Sequence, residues 1–267
     1  MMMSGATISR ATLHNWSEIE RLKISKGCKV VVERAGEVIP RIVRTVIEDD
    51  KEVEMVKAPT NCPACNSPVV REGSSDLKCT GGFQCNAQRV ARLEHFAGRK
   101  GIGIPGMVRE LQNLSLNLPL KHQHTQGNKT ISVLHHDMKL LNTPADVFRM
   151  ETNNKNLREH ERLENRDGFG TKSTQKLFKA IESKRKEGIP LQTLISALGI
   201  PQVGTTTAKK MANFAEDNIV RWWTLCKEKD EEKLKVVVGD ASARSIVQFL
   251  QDEQNYEICE DIVNVLK

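Results

Sequence analysis

Aromatic side chains are scarce in this sequence of 267 residues: Phe, Trp and Tyr together make up 4%, with a single Tyr. A core must therefore be built from Ile, Val, Leu and Met, which the 39% hydrophobic content allows. No apolar run approaches the ~20 residues that cross a bilayer, so a membrane is not expected as a partner. The opening stretch MMMSGATISRATLHN has no charged region followed by an apolar core, so it does not read as a secretory signal. An intracellular, reducing compartment is the expectation: cytoplasm or nucleoid, or nucleus or organelle in a eukaryote. An excess of acid is lacking too. Lys and Arg number 40 against 34 Asp and Glu, a net +6 that favours an anionic partner without naming one.

What is present begins with cysteine. Four of the seven cysteines fall in CPACNSPVVREGSSDLKCTGGFQC, as Cys62, Cys65, Cys79 and Cys85. The spacing is C-x2-C-x13-C-x5-C. Pro63 and Pro68 brace the first pair, Gly81 and Gly82 soften the second, and the sequence between them reads as two short strands. That is a zinc-ribbon pattern. Four thiolates close a tetrahedral site with no position for water, so a bound Zn2+ is structural. A reduced loop, a disulfide patch and an iron–sulfur cluster are the alternatives, and a reducing compartment favours metal over disulfides. The x5 gap is wider than the commonest zinc-knuckle spacing. Cys28, Cys226 and Cys259 stand alone and read as buried apolar residues.

Upstream, SEIERLKIS reads as a short helix with Ser17 as N-cap and Glu20 completing a capping box. Residues 29–47 read as strand, turn, strand: Val30 and Val32 share one face, then Val38, Ile39, Ile42, Val43, Val46 and Ile47 supply a second apolar stretch. This small basic β unit, with Arg34 as a candidate DNA contact, suggests an oligonucleotide-binding (OB) type of barrel.

From residue 86 the chain reads as helical, ending in one long helix over ASARSIVQFLQDEQNYEICEDIVNVL. Four places share a glycine-and-apolar turn leading into a helix: GIPGMVREL, DGFGTKSTQKL, IPQVGTTTAKKM and VVVGDASARSI. Gly168 and Gly170 flank Phe169; Gly106, Gly204 and Gly239 mark the other three, and the first and fourth lack one glycine. Glycine permits φ > 0 and clears side chains from the turn. The N–H groups there, with the positive end of the next helix, cradle an anion. Phe169, Val203 and Val238 would plug the helix pair. The expected ligand is a backbone phosphate of duplex DNA, with Lys172, Lys176, Lys179, Thr205, Lys209 and Lys210 nearby.

These residues carry a resemblance. SGATISRATLHNWSEIERLKISKGCKVVVERAGEVIPRIV, the cysteine segment ending CNAQRVARLEHFAGRKG, GFGTKSTQKL and LGIPQVGTTTAKK resemble, in order, consecutive parts of the bacterial-type NAD-dependent DNA ligase. RATLHN and RAGEVIP are its specific signatures. The resemblance implies a multi-domain α+β chain: a small, shortened OB-type domain over 1–58, a four-cysteine zinc finger over 59–88 and an all-α, four-repeat helix-hairpin-helix domain over 89–267. It implies nicked duplex DNA as partner. The family's K-x-D-G lysine, which takes AMP from NAD, has no counterpart; NRDG places Asn165 there. The small NAD-binding domain and the BRCT domain have none either. The chain alone is thus not expected to form ligase–AMP, and NAD would bear on it only through an adenylation domain, which a separate chain could supply. The expected role is the DNA-clamping part of such a ligase; the alternative is a repurposed scaffold serving as a repair adaptor or protein-interaction module.

Polar sequence at about 115–130 and 151–166 reads as loop insertion. His122, His124, His135 and His136 there are not expected to form a second metal site. His14 is expected to position the barrel, and Trp222 and Trp223 to pack between helices.

Overall fold

The structure is a computed structural model that describes residues 2–3, 6–35, 39–46, 55–72, 76–107, 140–166 and 169–267. The chain divides into two compact units, Met1–Cys85 and Asn86–Lys267.

Among its described residues the first unit shows three antiparallel hairpins and one short α-helix. Strands β1 (Met2–Met3) and β2 (Ala6–Thr7) pair first. Helix α1 (Trp16–Arg21) follows. Strand β3 (Lys29–Ala35) pairs with β4 (Ile39–Val46), from Lys29 opposite Val46 to Ala35 opposite Ile39, with a bulge between Val31 and Val32. The β-branched run of β3 favours this extended pairing. Val30 and Ile42 pack against the buried Ile19, Leu22 and Ile24, together with Trp16 and Cys28. Thr12 forms a parallel bridge to Arg41 and Ser25 an antiparallel one to Met55. Among the described residues the OB-type unit is this hairpin with bridges at its margins. Val38 and Ile47, expected in its strands, lie outside the described residues. Strands β5 (Val69–Glu72) and β6 (Asp76–Cys79) form the last hairpin, at the places the sequence indicates.

The cap of α1 corrects the sequence reading. The N-cap is Asn15, not Ser17: the Asn15 side-chain oxygen accepts from the Glu18 amide at 3.0 Å. The cap lies two residues earlier because asparagine caps as well as serine, but the box is not closed: the Asn15 N–H donates to Leu13 O at 2.8 Å and the Glu18 carboxylate pairs with Arg21 at 2.7 Å. Glu20 instead reaches Arg71 at 2.6 Å.

The second unit is helical: α2 (Asn86–Ala97), α3 (Asp146–Lys155), α4 (Thr171–Glu187), α5 (Leu191–Ala197), α6 (Thr205–Phe214), α7 (Ile219–Lys227), α8 (Glu231–Val238), α9 (Asp240–Gln251) and α10 (Glu253–Leu266). The expected single C-terminal helix is two. Asp252, extended at φ −69° and ψ 118°, accepts from the Asn255 amide at 3.0 Å and starts α10 afresh. Residues 151–166 are not a loop either. They complete α3 and form two 3-10 turns, Glu159–Glu161 and Leu163–Asn165. Leu157 and Leu163 are buried there, and buried Asn154 accepts from the Leu163 amide at 2.7 Å while donating to Glu164 at 2.9 Å. Sparse apolar anchors in polar sequence hid this packing. The stretch at 115–130 and the four histidines lie outside the described residues.

Trp222 and Trp223 are buried, and Trp223 lies 5.0 Å from the Tyr256 ring. Cys226 and Cys259 are buried, and burial raises both thiol pKa values, that of Cys259 to about 12. Both sit among the buried residues, where the sequence reading expects them; Cys28 is half-buried.

Candidate metal centre and nucleic-acid interface

The four thiols converge. The Sγ atoms of Cys62, Cys65, Cys79 and Cys85 all lie within 4.8 Å of one another, and those of Cys65 and Cys79 are 3.4 Å apart. Thiolates around zinc, at ~2.3 Å from the ion, would stand about 3.8 Å apart, so the donor set fits. The first knuckle is closed by Asn66 N–H donating to Cys62 O and Cys62 N–H to Ser67 O, each at 2.8 Å. Asn66 sits at φ +60°, a left-handed position that asparagine tolerates. The amides of Ala64 and Gly81 point at Cys62 Sγ and Cys79 Sγ, at 3.4 and 3.3 Å.

The wide Cys79–Cys85 gap is taken up by a 3-10 turn over Gly82–Gln84, which carries Cys85 back to the cluster. Gly81 has no room for a side chain: a Cβ would stand 2.8 Å from Ser67 Oγ and 3.1 Å from Cys65 Sγ. Ser67, whose Oγ is 3.3 Å from Cys65 Sγ, holds that thiol's pKa down to about 6 through its hydroxyl first and its backbone N–H second, while burial opposes. These donors favour thiolate, the form a metal needs. Among the described residues no other group of His, Cys, Asp or Glu is disposed to hold a metal.

The glycine turns differ from expectation in one respect. Gly106 and Gly239 have φ +82° and +86°, where glycine is needed. Gly170 (φ −158°) and Gly204 (φ −84°, ψ −175°) are extended, a conformation open to any residue. Their common property is space: a Cβ built at Gly106, Gly170, Gly204 or Gly239 meets nothing within 4 Å. Among the described residues the same space is found at Gly27, Gly103 and Gly188. Gly168 lies outside the described residues. Arg34 is in β3 opposite Pro40.

The helix ends differ in their caps; α3 and α5, which follow Ala145 and Pro190, have no side-chain cap and no glycine. Helices α1, α7, α8 and α10 begin at Asn15, Asn218, Asp230 and Asp252, whose side chains accept from their first-turn amides. Helices α4, α6 and α9 begin at Gly170, Gly204 and Gly239, with no side-chain cap on the first-turn amides. A first turn leaves its N–H groups without intrahelical partners, so the helices that follow the glycine turns present donors. Lys172, Lys176, Lys179, Lys209 and Lys210 are exposed on α4 and α6 and, among the described residues, form no ion pair. Thr205 is exposed at the start of α6.

The plugs behave differently. Val203 is buried in the third turn, Phe169 is half-buried, and buried Val238 belongs to α8. In the fourth copy α8 and α9 meet at Gly239 with no loop between them, and Asp240 opens α9. The first turn is fixed by Ile102 N–H to Phe96 O at 2.8 Å and Ile104 N–H to Ala97 O at 2.9 Å. Gly101, which the sequence reading passed over, is required there: a Cβ would overlap the backbone carbonyls of His95 and Phe96. Val108 lies outside the described residues. His14 is exposed at φ +61° beside a cleft that Thr12, Arg21, Arg41 and Val43 also line.

A β-hairpin unit of OB type, a four-thiolate ribbon and a series of glycine-turned helix pairs define a multi-domain protein built from small modules. Comparison with known proteins identifies the modules. Residues 1–54 match the NAD-dependent DNA ligase OB-fold domain, residues 61–87 the NAD-dependent DNA ligase C4 zinc finger domain, and residues 193–259 the helix-hairpin-helix motif. The DNA ligase of Beijerinckia indica is 32% identical over 98% of this chain and 36% of its own length. That of Xanthobacter autotrophicus is 34% identical over 96% and 35%, and that of Parvibaculum lavamentivorans 33% over 97% and 35%. The chain thus spans about a third of the length of these relatives. It belongs to the OB-fold, zinc-finger and helix-hairpin-helix part of the NAD-dependent DNA ligase family, and Zn2+ is its structural metal. Among the described residues no helix is long and apolar enough to cross a membrane.

Proposed function

We propose that this chain grips the sugar–phosphate backbone of duplex DNA without reading sequence, as the DNA-clamping part of NAD-dependent nick sealing in replication and repair inside the cell. The observation that carries the reading is the pair of glycine-started helix ends at Gly170 and Gly204. Neither has a side-chain cap on its first-turn amides, although the Gly170 N–H itself donates to Ser173 Oγ at 3.0 Å; a Cβ at either glycine meets nothing within 4 Å, and both are followed by lysines that form no ion pair among the described residues. Gly106 and Thr205 join the same surface class, and Gly168 and Arg34 are carried as proposed contacts. The 267 residues contain no K-x-D-G lysine to take AMP, so sealing would draw on that motif from outside them.

The test is the affinity of the zinc-loaded chain for nicked and intact duplexes at two salt concentrations. Each phosphate contact contributes about −0.9 to the slope of log K against log salt. Two to four contacts give a steep fall and at least equal binding to the nicked duplex; a flat response sinks the reading. Adding a K-x-D-G adenylation chain and assaying nick closure tests the partner.

A second reading, a repurposed scaffold for protein interaction or repair adaptation, rests on one observation. Val236, on α8 of the loopless fourth copy, is 87% exposed, and Phe214 is 59% exposed. Absence of duplex binding with zinc and fold intact would favour it.

A further inference from the structure

The fourth helix pair poses a problem for a four-fold phosphate clamp. Its turn has no loop, and the first residue of α9 is Asp240, a carboxylate at the helix end where an anion would sit. Lys235 on α8 is drawn to Glu231, Glu232 and Asp240, at 3.4, 2.7 and 3.8 Å, so that cation is committed within the chain. This copy is unsuited to phosphate, yet α9 touches the third turn directly. Ser245 Oγ donates to Pro201 O at 2.6 Å and Ser242 Oγ donates to Gln202 O at 3.1 Å. The two serines are three apart and so share one face of α9.

We propose that Ser242 and Ser245 are positioning residues for the third turn, and that the fourth copy serves as its brace and not as a phosphate site. This rests on the reading that the third turn holds a phosphate. Two physical effects follow from the hydroxyls. Gln202 sits at φ +60°, a left-handed position costly for a residue with a side chain, so neighbours must hold it. A bond to its own carbonyl and another to the carbonyl before it do this. The hydroxyls also occupy two carbonyl oxygens beside the anion cradle. Left free, those partial negative charges could turn toward an incoming phosphate and oppose it. Val203 N–H, bonded to Ile200 O at 3.1 Å, closes the turn between these anchors and Gly204.

The test uses the full zinc-loaded chain. In Ser242→Ala/Ser245→Ala, duplex affinity should fall roughly tenfold, the scale of two lost neutral hydrogen bonds. The salt slope should flatten by about one phosphate's share, ~0.9. Amides of residues 199–204 should exchange about tenfold faster. Ser242→Thr/Ser245→Thr, which keeps the hydroxyls, should recover affinity and slope. Thr224→Ala removes a similar bond, Thr224 Oγ1 to Val220 O at 2.9 Å on α7, and should leave DNA binding unchanged. If the double alanine variant binds with wild-type affinity and slope while Gly204→Asp does not, the brace is overturned and the phosphate reading stands. Unchanged exchange in the turn overturns it equally, as does failure of the folded threonine variant to recover binding. If wild type ignores duplex at low salt, the underlying reading falls and takes the brace's role with it.

Discussion

Single residues decide whether each site is formed or merely suggested. At Gly170 the backbone is extended and a Cβ would meet nothing, so Gly170→Ala should fold with little change in melting temperature. Gly170→Asp should fold too but lose duplex affinity at low salt by tenfold or more, because a carboxylate replaces the anion's space. Equal affinity of the two variants would make that turn a mere connector. Gly101 is the opposite case. Its missing Cβ is demanded by the backbone of Phe96, so Gly101→Ala should cost about 1–3 kcal/mol of stability, read as a lower melting temperature. At the metal, Ser67→Ala removes a donor to Cys65 and should weaken zinc binding about tenfold in a chelator competition, with the fold retained at saturating zinc. The four cysteines were legible from spacing alone. Ser67 and Gly101 were not, because their roles depend on what stands across a turn in space.

Elements show where local pattern suffices and where it does not. Hairpin β5–β6 and helices α4, α6 and α9 stand where sequence signals put them, since turn residues and apolar spacing act locally. The boundary at Asp252 was missed because both flanking segments are strong helix sequence. Only the carboxylate that caps the second shows the break, and D-x-x-N at 252–255 was its signal. Asp252→Ala should cost about 1 kcal/mol through loss of the cap on α10, visible in thermal unfolding of the helical signal. The helix and turns over 151–166 were missed for the converse reason. Their polar surface is conspicuous, and their buried contacts, Leu157, Leu163 and the Asn154 hydrogen bonds, are few.

For the whole molecule, each unit has its own source of stability. The helical unit buries large apolar side chains such as Phe96, Leu194 and Trp222. The ribbon has few buried apolar residues, and its thiolate cage stands in for a core. Removing zinc with a chelator should therefore abolish amide protection over 61–87 and leave most of the helical circular dichroism intact. Loss of the helical signal together with the metal would show that the ribbon is needed for the rest to fold. Composition foreshadowed this division, with cysteine concentrated in one short stretch and aliphatic periodicity in the remainder.

The contrast between stoppered and vacant helix ends has a practical outcome. Helices beginning at Asn15, Asn218, Asp230 and Asp252 carry their own plugs and so serve as built-in blanks. Writing asparagine into position 170, then 204, would close the vacant sockets one by one. Ionic strength would then count grip points, each closure subtracting one increment, so the clamp's valency could be read as integers.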